Sequence, residues 1–95
     1  MARYAPTASG TIQIAPIASG SSRGNRSRSY GIIAAAGTLL LERSTDGTAP
    51  DMTNAARVDF SRVPALTYTL EPGVTLWAMA SSGTINVDVL RDGTR

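Results

Sequence analysis

Seven carboxylates and nine arginines carry all of the side-chain charge in this 95-residue chain, and Cys, His and Lys are absent. Residue type alone therefore removes thiolate nucleophiles, zinc–thiolate sites, Schiff-base lysines and every triad that uses histidine as its base. Carboxylate chemistry remains. Glu42, Asp46, Asp51, Asp59, Glu71, Asp88 and Asp92 could supply a glycosidase-like acid and base. Such a pair needs a cleft, and a chain this short has little material to build one. The expectation is a protein that is not an enzyme and has no cofactor. Asp46 and Asp51, with Thr45 and Thr48, come nearest to a cation site, but their spacing matches no EF-hand loop. Asp46-Gly47 and Ala49-Pro50-Asp51 read as turns, so no metal is expected.

The arginines cluster once. Arg23, Arg26 and Arg28 lie among Ser, Gly and Asn, which makes them either a grip on an acidic partner or a solvated loop. No aromatic residue is interleaved before Tyr30 and no nucleic-acid motif accompanies them, so nucleic acid is a secondary reading. Net charge is only +2, and the high isoelectric point of about 9.7 reflects in part a chain whose only base is arginine. The single Trp, Trp77, has two readings. The first is core; the second is interface, where Trp is a common hot-spot residue.

The elements that hold these residues are strands. Ala65–Leu70 ends at Glu71-Pro72-Gly73, in which Pro sets the second position of a tight turn and Gly the positive φ of the third. Val74–Ala80 runs into Ser81-Ser82-Gly83, and Thr84–Leu90 returns. In that last run Ile85, Val87 and Val89 alternate with Thr84, Asn86 and Asp88, one face buried and one wet. A closing hairpin is expected here. Leu66, Tyr68 and Leu70 share one face of their strand. In Val74–Ala80 both faces carry large apolar groups, so one meets the core and the other needs a second sheet, an arm or another subunit.

Upstream, Tyr30–Ala36 and Thr38–Arg43 flank Gly37 and read as strands, the continuous Leu39-Leu40-Leu41 fitting one covered on both faces. Ser44–Thr53 is a loop, and Asn54–Val63 a helical turn followed by a strand in which Val58 and Phe60 alternate with Asp59 and Ser61. Residues 1–29 are rich in Ala, Ser, Thr, Gly and Pro. Ala5-Pro6-Thr7-Ala8-Ser9-Gly10 recurs as Ala15-Pro16-Ile17-Ala18-Ser19-Gly20, too few copies for a solenoid. Ser9-Gly10-Thr11-Ile12-Gln13-Ile14 echoes Ser82-Gly83-Thr84-Ile85-Asn86-Val87. Thr11–Ile17 is thus a short strand, and Pro16, lacking an N–H, places it at an edge or against a neighbouring subunit.

Six to eight short strands with turns every eight to twelve residues predict an all-β fold: a small antiparallel β-sandwich or barrel, jelly-roll-like, spanning 30–95, with an extended N-terminal arm over 1–29. Ala makes up 14 of the hydrophobic residues, and Ile, Leu, Val and Phe only 19. A domain of this size buries about 60 to 65% of its unfolded surface, so such a chain completes its core against copies of itself or a larger partner. The candidate contacts are Ile12, Ile14, Ile17, Arg23, Arg26, Arg28 and Trp77. No apolar run approaches the roughly 20 residues that span a bilayer, and no signal-peptide pattern opens the chain. A soluble protein is expected.

Leu70-Glu71-Pro72-Gly73-Val74-Thr75-Leu76-Trp77-Ala78, followed by Ser82-Gly83-Thr84-Ile85-Asn86-Val87-Asp88-Val89, resembles the closing hairpin of small β-sandwich proteins of tailed-phage virions. The Ala/Ser/Thr/Gly-rich start is similar to the arms by which capsid decoration, or cement, proteins lie along the shell and lock neighbouring capsomers. The resemblance covers roughly the last 30 residues by pattern and the first 25 by composition, and it carries over no functional residue. It implies a structural protein on the surface of a phage head, made in the host cytoplasm. Its partners would be the major capsid protein or another virion protein and its own copies, as a homotrimer, with no membrane or nucleic acid. In that reading, deleting Met1–Ser22 leaves the sandwich folded and abolishes attachment. The alternatives are a tail, baseplate or head-fibre protein, an Arg-dependent nucleic-acid module, and a carbohydrate binder using an exposed Trp77 or Tyr68 as platform.

Overall fold

The computed structural model describes residues 2–15 and 28–92, the last two of these by backbone alone. Eight strands follow one another without a helix among the described residues: β1 (Ala2–Tyr4), β2 (Ile12–Ala15), β3 (Arg28–Ala34), β4 (Thr38–Ser44), β5 (Ala56–Asp59), β6 (Ala65–Leu70), β7 (Thr75–Ala80) and β8 (Val87–Asp92). They form two antiparallel four-stranded sheets, in the orders β1-β8-β3-β6 and β2-β7-β4-β5. The fold is the small β-sandwich that the strand spacing predicts.

The two orders have one origin. β1 pairs with β8, β2 with β7, β3 with β6 and β4 with β5, so the chain is one long hairpin whose tip is the 45–55 loop. Rolling that hairpin brings β3 beside β8 and β4 beside β7, which gives the eight-stranded jelly-roll order. Hydrogen bonds continue the ladder where the hairpin bends between sheets. Ile85 N–H donates to the Pro6 carbonyl and Ala80 N–H to the Thr7 carbonyl, each at 3.1 Å; at the next corner Phe60 N–H donates to the Gly37 carbonyl at 2.8 Å and Ala34 N–H to the Pro64 carbonyl at 3.3 Å. Thr7 also bridges Thr84 at the first of these bends.

Two expectations are corrected by this topology. The closing hairpin does not form: β6 and β8 flank β3 in one sheet, while β7 lies between β2 and β4 in the other. The turn itself is as read, with Val74 N–H donating to the Glu71 carbonyl at 3.1 Å and Gly73 at φ 83°. Four residues of extended chain reach about 13 Å, enough to cross the roughly 10 Å between packed sheets. The second correction concerns the arm. Residues 2–15 are not an appendage to a domain beginning at 30, because β1 and β2 are edge strands of the two sheets and Ile14 and Ala15 are fully buried. Removing residues 1–22 would strip a strand from each sheet.

The core lies between the sheets. One layer supplies Tyr30, Ile32, Ala34, Leu70, Val87 and Val89, and the other Ile14, Ala15, Leu39, Leu41, Leu76, Ala78 and Ala80. Alternation holds through β8 and the residues leading into it: Ile85, Val87 and Val89 are buried, Thr84 and Asn86 exposed, and Asp88 half-buried. Buried alanines on both layers supply little apolar area each, which explains how a chain with few large aliphatics still closes a core.

Candidate functional site

The predicted contact residues separate into four groups. Ile14 has no exposed surface, and Ile12 is half-buried and packs on the core. β2 spends both on its own sandwich, so Ile14 offers nothing to a partner. Ile17, Arg23 and Arg26 lie outside the described residues. Arg28 opens β3 opposite Leu70 and is half-buried.

Trp77 is the fourth case. In β7 the core face is Leu76, Ala78 and Ala80, which leaves Thr75, Trp77 and Met79 on the outside of the sheet, all half-buried. Trp77 is therefore not a core residue, and its indole N–H donates to Thr75 Oγ1 at 2.8 Å. The register sets its neighbours. Trp77 lies opposite Glu42 on one side and Gln13 on the other, and Met79 lies opposite Leu40. The outside of this sheet thus carries Leu40, Met79 and Trp77 together, with Glu42 inserted among them and Arg57 across from Leu40. Glu42 Oε1 is buried and has no hydrogen-bond partner among the described residues, an arrangement that costs free energy for as long as the oxygen stays unsatisfied. Leu40 and Met79 were not picked out as contacts by sequence reasoning, although two apolar faces on both Thr38–Arg43 and Val74–Ala80 were the available signal.

The outside of the other sheet is different in character. Arg3 in β1 faces Asp88 in β8, Nε to Oδ1 at 2.7 Å. Beside that pair a cleft of about 450 Å³ is lined by Ile33, Ala34, Ala35, Pro64 and Asn86. Among the described residues Ile33, Val63 and Leu90 are the large apolar residues most open to solvent, at 41, 46 and 36%.

Four aspartates are engaged by hydrogen bonds. Asp46 Oδ1 accepts from Ser44 Oγ at 2.7 Å, Thr48 Oγ1 at 2.8 Å and Thr48 N–H at 3.0 Å, and the Ser44 hydroxyl leads the causes that lower its pKa to about 2. Asp51 accepts from Thr53 N–H and Asp59 from the Ser61 hydroxyl and N–H. Asp88 takes Arg3. Each of these three is also held below the ordinary carboxylate range by those bonds. A general acid at neutral pH needs the opposite shift. The 45–53 loop is the turn chemistry its sequence predicts, and among the described residues no group of three or more acidic, His or Cys side chains is placed to hold a metal.

No protein-family model matches the chain, and no curated protein or solved structure matches it either.

Proposed function

We propose that this chain is a structural protein of a tailed-phage virion that attaches to the outside of the head and reinforces it. The observation that carries the reading is the outside of the β2-β7-β4-β5 sheet, where Leu40, Met79 and Trp77 form an apolar row beside a buried carboxylate oxygen that has no partner among the described residues. A shell protein that covered this row would bury apolar area, at about 25 cal/mol per Å², and could donate to Glu42. The resemblance of residues 70–89 to virion β-sandwich proteins supports the same reading. So does the jelly-roll order, which recurs in viral capsid domains but also in lectins and cupins, so that fold by itself defines no role. Repetition over a particle surface turns a modest contact into firm attachment.

The test is co-sedimentation of the purified protein with heads produced from the same genome. Saturable binding is expected, weakened at least tenfold by Met79→Glu and by Leu40→Glu when circular dichroism shows the sheet content unchanged. Full-affinity binding by both folded variants, or no binding by the unaltered chain, refutes the proposal.

A further inference from the structure

We infer that β6 is a self-association edge, and that two copies of this chain pair β6 to β6 about a twofold axis through Tyr68. The inference does not depend on the virion reading.

It rests first on which sheet edges are protected. Native sheets blunt their edges by shortness, bulges, charge or proline. β1 has only three residues. β2 has four, carries a register shift between Gln13 and Ala15, and is followed directly by Pro16. β5 has four, of which two are Arg57 and Asp59. β6 has six, Ala-Leu-Thr-Tyr-Thr-Leu, with no charge, no proline and an unbroken register against β3. Among the described residues no strand pairs with its other side.

The second observation is the order of those residues. Leu66-Thr67-Tyr68-Thr69-Leu70 reads the same in both directions. An isologous contact joins one patch to itself reversed, and an antiparallel strand pair centred on Tyr68 is that operation. It sets Leu66 opposite Leu70 of the second copy, Thr67 opposite its Thr69, and Tyr68 opposite its Tyr68. Aliphatic, hydroxyl and aromatic pairs each meet their own kind, which is how cross-strand pairs stabilise a sheet.

The two faces of β6 fit the same operation. Leu66 and Tyr68 are only half-buried although they pack on the core; they stand at its open side, and the second copy's Tyr68 and Leu70 would cover them. Thr67 and Thr69 are exposed on the outer face. The result is one continuous eight-stranded sheet across two sandwiches. An ion pair, Arg43 with Glu71, lies near this edge. Arg43, from the facing sheet, stands 5.2 Å over the Tyr68 ring, donates to the Thr69 carbonyl at 3.0 Å and pairs with Glu71 at 3.3 Å. Each Arg43 thus brings its own counter-ion to the axis. A single strand pair is a small interface, and affinity in roughly the micromolar range or weaker is expected of it. A twofold dimer also differs from the threefold assembly that the virion resemblance implies.

Charge placement tests the register without touching the core. Thr67→Lys with Thr69→Lys sets lysine opposite lysine at both hydroxyl pairs. Thr67→Lys with Thr69→Glu sets lysine opposite glutamate at both. The readout is sedimentation equilibrium of the full chain from about 10 µM to about 1 mM. The unaltered protein is expected to approach twice its 9.9 kDa chain mass, the double-lysine variant to dissociate at least tenfold more readily, and the lysine–glutamate variant to recover the original affinity at low salt. Concentration-dependent hydrogen-exchange protection of β6 amides should accompany the dimer. A monomer throughout the range, a limit of three chains, or equal association by the two variants overturns the inference.

Discussion

Gly37 sits at φ 102° in the bend between β3 and β4, where an added Cβ would lie 2.9 Å from Ile85 Cδ1 and 3.0 Å from its Cγ1. Gly37→Ala therefore meets two costs. Holding an L-residue at positive φ costs about 1–2 kcal/mol, and forcing a methyl group into a packed corner costs about 1–3 kcal/mol. Restricting the unfolded chain returns about 0.4–1 kcal/mol. The net expectation is a loss of about 1–4.5 kcal/mol, at about 4–8 °C of melting temperature per kcal/mol for a domain of this size. Gly31 is the internal control. It lies in the middle of β3, and a Cβ there meets nothing within 4 Å, so Gly31→Ala should leave stability unchanged or raise it by about 0.5–1 kcal/mol. Urea unfolding reads both through the midpoint at constant slope. Adding Ile85→Ala to Gly37→Ala should recover part of the combined loss, because it removes both clashing atoms. A Gly37→Ala variant within about 0.5 kcal/mol of the unaltered protein, or a larger loss at Gly31 than at Gly37, would refute the packing assigned to this corner.

Acid should destabilise the fold through its hydrogen-bonded aspartates. Asp46, Asp51, Asp59 and Asp88 all have folded pKa values below the unfolded reference of 3.8, Asp46 at about 2. Their contribution is present above that reference and is lost as pH falls from about 4 towards about 2. Urea midpoints measured across that window should drop, and drop less in Asp46→Asn; an identical drop would show that Asp46 is not among the groups responsible. Burial separates two further variants. Leu39→Ala, at a site with no exposed surface, should lose about 2–5 kcal/mol. Trp77→Ala, on the outside of its sheet, should lose less than Leu39→Ala, and the reverse order in a thermal melt would return Trp77 to the core.

Strand positions were legible because period-2 patterning and turn residues are local. Ile85, Val87 and Val89 sort to the core as written, and Glu71-Pro72-Gly73 makes the turn it encodes. Pairing was not legible. A tight turn states that the chain reverses, and it leaves open whether the next strand joins the same sheet or crosses to the facing one. That choice depends on whether Leu76, Ala78 and Ala80 or Trp77 and Met79 face inward. Size favours Trp77 as the core residue, but the central strand of a thin sandwich buries alanines and leaves the bulky row outside. The same locality hid β1 and β2 in a stretch whose composition reads as an arm. Ile12 and Ile14 carried the correct signal for an edge strand, while the partner of that strand, β7, lies more than sixty residues away in the chain. The outer row of Leu40, Met79 and Trp77 needed the register between β4 and β7, which no spacing within either strand reveals.

The most direct measurement is cryo-electron microscopy of virions produced with and without this chain. The account predicts density for a small two-sheet sandwich at regular positions on the outer surface of the head, with the Leu40, Met79 and Trp77 face against the shell, and its loss from particles lacking the chain. Density confined to the tail or baseplate, or heads unchanged by its removal, would contradict it.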